Sequence, residues 1–303
     1  MKLLKEGIYQ LDRSLISQIS INNIKNLEES ASKVDRLRSR ILYHSSSKSE
    51  PQHMLICFDS KSIVEVSFHT FAESFMILSG VAQYRFYSIK DGSVVYDIRM
   101  SPASKKGIFY TYISPNIPHR FFPLTKHVVA NEVGYSFFSP EQTSFGEGTL
   151  FDVSNKVKSE EIATQPLIRN SDTKFNKISS DEYTFDSKIG VAEISYESIL
   201  DLLEKEKKPF SISPSKNLTK FKKHNFLLEK LCIIPNNCKL KLKLQDSIVN
   251  NIYGCSRIKS KDLDKKLDVL NNFAVGPIKN TETIIQNIDS EFSIIHVATE
   301  RNI

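Results

Sequence analysis

Several kinds of chemistry leave no trace in this chain. It has no Walker-type phosphate loop, no G-x-G-x-x-G and no G-x-S-x-G. Nucleotide hydrolysis, Rossmann-type dinucleotide chemistry and α/β-hydrolase chemistry are therefore without support. No apolar run approaches the roughly 20 residues that span a bilayer. The opening Met1-Lys-Leu-Leu-Lys-Glu-Gly7 carries charge but neither the apolar stretch nor the small-residue cleavage site of a signal peptide, so a cytoplasmic location is the default expectation. The four cysteines, Cys57, Cys232, Cys238 and Cys255, include no C-x-x-C pair. They read as buried free thiols rather than as disulfide, zinc or redox partners.

What is present fits a soluble globular protein. The 303 residues are 40% hydrophobic and 25% charged, enough for about two domains with real cores. The net charge of +6 is spread among mixed acids and bases. The densest basic run, Lys216 to Lys223, reads as a solvated face and not as a nucleic-acid site. No nucleic-acid partner is expected.

Periodicity divides the chain. Residues 8–25 alternate loosely, as a strand followed by a helical turn would. From Asn26, Leu27, Ala31, Val34, Leu37 and Ile41 fall at helical spacing, which predicts an amphipathic helix to about Arg40. Arg36, Arg38 and Arg40 suit its C-terminal end; contact with an anionic ligand is the alternative. From Ile41 to Phe138 short β-like runs follow one another, with Asp91-Gly92 as a hairpin signal. Residues 139–190 are poor in apolar periodicity. A helix is expected from Tyr196 to Lys207, with Pro209 just beyond. Strand-like runs then resume, among them the strictly alternating Lys239-Leu-Lys-Leu-Lys-Leu244. The expected division is an N-terminal extension at 1–40, a barrel at 41–150, a connecting segment at 151–190 and a second β-rich domain at 191–303. That second domain could be a diverged copy of the first, although no motif proves a repeat.

The chemistry concentrates in Ile63 to Gly80, which carries His69 and Glu73, and in Ile113-Ser-Pro-Asn-Ile-Pro-His119. Two imidazoles and a carboxylate converging inside a barrel form a facial triad that suits Fe, with Mn, Zn or Ni also feasible. On one extended strand His69 and Glu73 would be about 13 Å apart, so a bend near Thr70-Phe71 is required. The alternative is that His69 and His119 are hydrogen-bonded cavity residues without a metal. Tyr110, Tyr112 and Arg120 flank the second stretch and could face a sugar hydroxyl or phosphate, though barrel packing explains the tyrosines equally well. His44 and His53 could line a pocket, with packing roles the blander reading. His127, His224 and His296 show no partner pattern.

The two stretches resemble the paired motifs of the cupin fold. Ser67 to Gly80 matches the first motif, and Ser114-Pro-Asn-Ile-Pro-His119 occupies the six positions of the second. The first half more narrowly resembles the WbuC-type cupin metalloproteins of O-antigen and capsule synthesis. The matching features, in order, are Arg38 to His44, Gln52 to Ile56, Glu73 to Gly80, Asp91-Gly92, the His119 turn, Asn131-Glu132-Val133 and Pro140 to Phe145. They cover about residues 25–148. Departures are Ser67 in place of the first motif histidine, Ser114 for the turn proline and Asn116 for its glycine, a position asparagine tolerates.

The resemblance implies an all-β cupin barrel with a preceding helix; it does not reach the second β-rich domain, whose strand-like runs are read as those of a degenerate cupin. It implies a divalent metal on His69, Glu73 and His119, a pocket bordered by Ser67, and a sugar-like ligand. Its activity would be that of a metal-dependent sugar or nucleotide-sugar isomerase or epimerase. The competing reading is a non-catalytic binding or assembly protein with a decayed site. A homodimer is an open alternative to a monomer.

Overall fold

In the computed structural model, residues 1–13, 17–136, 143–145, 173–187, 189–214, 229–260, 267–269, 274–279 and 281–300 are described. The basic run Lys216–Lys223, His224 and positions 151–172 of the expected connecting segment lie outside them. The first half supplies β1 (Lys2–Lys5), β2 (Ile8–Gln10), β3 (Ser17–Ile19), α1 (Ile21–Ala31), β4 (Arg38–Leu42), β5 (Gln52–Asp59), β6 (Ser67–His69), β7 (Glu73–Ser79), β8 (Ala82–Tyr87), β9 (Val94–Met100), β10 (Ile108–Ile113), β11 (His119–Pro123), β12 (His127–Gly134) and β13 (Thr143–Phe145). The second half adds β14 (Lys174–Ser179), β15 (Glu182–Asp186), β16 (Val191–Ser195), α2 (Tyr196–Lys205), β17 (Phe210–Pro214), β18 (Glu229–Pro235), β19 (Lys239–Leu244), β20 (Ser247–Tyr253), β21 (Ser256–Ser260), β22 (Leu267–Val269), β23 (Ala274–Ile278), β24 (Thr281–Asn287) and β25 (Phe292–Thr299). The expected all-β class holds.

The halves repeat one topology. The order β4-β5-β12-β7-β10 in the first matches β17-β18-β25-β20-β23 in the second, and β9-β8-β11-β6 matches β22-β21-β24-β19. In each half an N-terminal hairpin lays its second strand parallel to the first barrel strand, β2 on β4 and β15 on β17. Each half also opens with a strand leading into a helix capped by serine. Ser20 and Ser195 accept from the backbone of Asn23 and Ser198, and those side chains return the contact, which closes a capping box at both helices. These strands are exchanged: β16 pairs with β10 of the first barrel, and β3 pairs with β23 of the second.

One sequence expectation fails in an informative way. The helix starts at Ile21, just after its Ser20 cap, and ends at Ala31, nine residues short of Arg40. Leu37 then takes a left-handed backbone (φ 51°) and the chain reverses into strand β4. Arg38, Arg40 and Leu42 alternate with the buried Ser39 and Ile41, so the arginines stand on a strand face and not at a helix C-terminus. A two-residue spacing is the strand period, and here it overrides the helical spacing of the apolar positions.

Between the barrels lies one continuous apolar cluster that includes Leu55, Met76, Phe109, Phe185, Ile233 and Ile294. A polar network is embedded in it. The fully buried Glu229 accepts from Ser74 through both carboxylate oxygens at 2.8 Å, and from Tyr110 and Tyr135. His296 Nε2 lies 2.8 Å from Glu229 Oε1, and its Nδ1 faces the amide of Asn250 at 3.0 Å. Asn131 Oδ1 in turn receives His53 Nε2 at 2.8 Å. A buried carboxylate is tolerable only with such full satisfaction.

Gly80 ends β7 and Gly254 ends β20, both in the left-handed region (φ 82° and 79°). A Cβ at Gly80 would lie 2.3 Å from the His127 carbonyl oxygen, and one at Gly254 would lie 2.4 Å from that of Phe292. The same turn is thus used at the same place in both barrels. Gly80→Ala is expected to destabilise the fold by about 2 kcal/mol or more, read as a fall of several degrees in the thermal midpoint; an unchanged midpoint would contradict the strained turn.

Candidate functional site

His69 and Glu73 do not share a strand. His69 ends β6, Glu73 begins β7, and the chain bends at Thr70-Phe71-Ala72 between them. His119 begins β11, which pairs with β6 so that His119 stands opposite Ser67. Asn116 adopts the left-handed conformation (φ 62°) and donates its backbone N–H to the His69 carbonyl at 2.7 Å. The two sequence stretches meet through that bond.

The three side chains converge. His119 Nε2 lies 2.8 Å from Glu73 Oε1, and His69 Nε2 lies 3.4 Å from Glu73 Oε2. One ligand atom from each residue lies within 4.8 Å of the others, and they form the one such group among the described residues. Donors about 2 Å from a common ion are separated by roughly 3–4 Å, so the spacing fits. His119 Nδ1 donates to the Ile117 carbonyl at 2.8 Å, since a carbonyl can only accept. This directs Nε2 toward the carboxylate, as second-shell bonding does for a metal-bound imidazole. Nε2 and Glu73 Oε1 face each other at 2.8 Å with both side chains buried, a contact that a cation between them in place of the proton would also satisfy.

Electrostatics agrees. Burial is the largest influence on His119 and opposes its charged form, but the charge and hydrogen bond of Glu73, the bond to Ile117 and the charge of Glu132 together raise its pKa. Burial also works against ionised Glu73, yet His119 and His69 together hold its pKa below the ordinary value. His69 is lowered, chiefly by burial. His119 and Glu73 are thus held as a buried ion pair.

The triad opens into a cavity of about 590 Å³ with an aromatic wall that includes Phe75, Tyr84 and Phe121. Ser67 lines it, as expected. Tyr110, Tyr112 and Arg120 are not among its lining residues. Tyr110 and Tyr112 point to the other face of β10, against Phe185, and Tyr110 reaches Glu229. The Arg120 guanidinium instead stacks 4.8 Å over the Phe122 ring. His44 and His53 are buried together away from this cavity, linked through His44 Nδ1 and the His53 backbone. His296, which showed no partner pattern in sequence, is the centre of the interbarrel network.

Glu65 and Glu132 line the cavity without having been singled out in sequence, and Arg36, Arg38 and Arg40 line it too, which favours the anionic-ligand alternative over a helix end. The arginines carried a usable signal in their two-residue spacing. For Glu132, burial raises the pKa to about 7, with the charge of Glu73 adding to it and Arg40 and Arg38 opposing.

Residues 19–100 match a family model described as a domain of unknown function, DUF6016. No curated protein matches the sequence. Among solved structures, salicylate 1,2-dioxygenase from Pseudaminobacter salicylatoxidans superposes with a TM-score of 0.58 at 9% identity, covering 94% of this chain and 84% of its own. One of its mutants gives 0.58 at 10% identity, covering 94% and 83%. The fold is that of a two-barrel cupin. A mutant oxalate decarboxylase from Bacillus subtilis is more distant, with a TM-score of 0.44 at 12% identity over 95% of this chain and 74% of its own.

Among the described residues the second barrel has no equivalent site. Counting from the matched glycines, Ser247 stands where Glu73 stands, and from the matched strand registers Thr283 takes the place of His119. Leu242 and Leu244, opposite β24, fall where Ser67 and His69 do. They pack with Ile258 and Ile285, so leucine and isoleucine fill this barrel. Among the described residues no helix is long and apolar enough to cross a membrane.

Glu132 generates a test. Its native pKa of about 7 lies above the ordinary 4.5, so the metal-free native state binds the extra proton and loses stability as pH rises through that window. Glu132→Gln should therefore stabilise metal-free protein at pH values above the window by about 1–3 kcal/mol, discounted for cavity water, and by much less below it. Thermal melts at the two pH extremes measure this; equal shifts at both would contradict the buried charge.

Proposed function

We propose that the first barrel holds one divalent metal on His69, Glu73 and His119 and acts there on a small molecule bound in the cavity. The observation that carries the reading is the convergence of His69, Glu73 and His119, whose ligand atoms lie within 4.8 Å of one another around a buried carboxylate, with the other nitrogen of His119 committed to a carbonyl. Two imidazoles and one carboxylate leave coordination positions open, the arrangement of non-haem Fe(II) sites, with Mn, Zn and Ni as alternatives. Ser67, opposite His119 on the paired strand, leaves further room at the position where a cupin places a histidine.

When bound, such an ion would polarise a carbonyl or hydroxyl of the ligand. The chain's own residues do the rest. His119 is oriented by Ile117, the aromatic wall borders the bound molecule, and Glu132 stands in the cavity where it can exchange a proton with that molecule. The resemblance of residues 25–148 to WbuC-type cupins supports a sugar or nucleotide-sugar of surface-polysaccharide synthesis as substrate, with isomerisation or epimerisation as the reaction. Salicylate 1,2-dioxygenase, a structural neighbour, shares the fold at an identity too low to carry its reaction over. The second reading, a non-catalytic binding protein, draws on Ser67 and on the empty ligand positions of the second barrel.

Elemental analysis of untagged protein decides between them. About one equivalent of iron, manganese, zinc or nickel is expected, lost in Glu73→Ala and His119→Ala while the fold is retained. Affinity should fall as pH is lowered, because protons compete for His119, whose pKa is raised. Metal-free protein, indifferent to added metals and to chelator, would overturn the metal site and leave the binding-protein reading.

A further inference from the structure

The arginine row is the feature of the cavity that metal binding does not explain. Arg36, Arg38 and Arg40 line the same cavity as the triad. None of them forms an ion pair among the described residues, and the buried Nε of Arg38 has no hydrogen-bond partner. Arg38 suffers for this placement. Burial first, then the neighbouring charges of Arg40 and Arg36, lower its pKa. Arg36 is exposed and Arg38 and Arg40 are half-buried, so the cost of crowding like charges falls chiefly on Arg38, whose buried Nε is left for another group to satisfy.

The backbone makes the placement deliberate in geometric terms. Arg38 and Arg40 share one face of β4, while Ser39 and Ile41 on the other are buried in the interbarrel core. The Ser39 hydroxyl is anchored on the Leu27 carbonyl of α1, and Arg40 N–H donates to Gly7 at 2.8 Å. The strand cannot rotate to release the arginines to solvent without breaking these bonds. The charge balance points the same way. Three guanidinium groups face the carboxylates of Glu65, Glu73 and Glu132, and a divalent ion on the triad would tip the lining to net positive.

We propose that Arg36, Arg38 and Arg40 bind an oxyanion, a carboxylate or a phosphate ester, carried by the small molecule that the metal triad acts on. Guanidinium forks match both groups through paired N–H···O bonds. The substrate is then an acidic or phosphorylated molecule that spans the cavity from the arginine row to the metal, and a neutral sugar is excluded. The inference rests on the metal reading of this cavity, but the anion site itself is built from residues that do not touch the metal.

Calorimetric titration at fixed ionic strength tests it, with inorganic phosphate, malonate and neutral glucose as probes. Phosphate or malonate should bind the wild-type protein, and glucose should not. In Arg38→Gln and Arg40→Gln the affinity for the bound anion should fall about 10-fold or more, with metal content and thermal midpoint retained. In His119→Ala anion binding should persist while metal is lost, which separates the two claims. A response to phosphate alone identifies a phosphate ester, and one to malonate alone identifies a carboxylate. No binding of either anion, or binding that Arg38→Gln and Arg40→Gln leave unchanged, overturns the proposal. Should a glutamine variant fail to fold, Arg38→Lys supplies the readout, since it keeps the charge but loses the paired geometry; affinity equal to wild type would overturn the fork.

Discussion

The pleat of four strands governs this molecule. β4, β5, β12 and β7 each wall the first barrel's cavity with one face and the interbarrel seam with the other. On β7, Glu73, Phe75 and Ile77 turn toward the cavity side, while Ser74, Met76 and Leu78 turn toward the second barrel. On β12, Glu132 faces the cavity, and Asn131 beside it joins the His53–His296 network. Because side chains alternate with a period of two, a slip of one residue would carry Glu73 into the seam and the seam residues into the cavity. The polar bonds to Glu229 oppose such a slip, since each lost partner would leave a buried charge less satisfied. The position of Glu73 is therefore secured from behind, by its neighbour Ser74.

The two barrels share topology, caps and the glycine turn, yet they differ in what fills them. In the first, charged and aromatic groups surround a cavity. In the second, Leu242, Leu244, Ile258 and Ile285 close the interior and hydroxyls stand at the ligand positions. The second barrel has become a packed partner. It contributes β16 to the first sheet and the Glu229 carboxylate to the seam, so it supports the site without lining it. The reciprocal loan of β3 and β16 makes the two halves one cooperative structure, since neither barrel completes its sheet from its own half of the chain.

Local signals in the sequence were read correctly where one interaction dominated. The Asp91-Gly92 hairpin, the alternation of Lys239 to Leu244, the helix opening at Tyr196 and the glycine after Glu73 all depend on near neighbours. The helix expected to reach Arg40 failed because Leu27, Ala31, Val34 and Leu37 keep helical spacing while the chain reverses at Leu37. Apolar spacing there reflects two successive elements packing on the same core. Tyr110 and Tyr112 were placed near the site by proximity in sequence to His119, but strand pairing sends them to the opposite face.

Sequence alone was enough for the cupin class, the turn at Asn116, the bend that His69 and Glu73 require, and the three residues of the triad. Those follow from residue type and short spacing. Only the tertiary structure decided that the triad converges, that Glu132 and three arginines join it, that Glu229 and His296 bind the barrels together, and that the second barrel is filled. Each of these depends on which faces of distant strands meet, and the two-residue period of a strand leaves that choice to pairing partners far away in the chain.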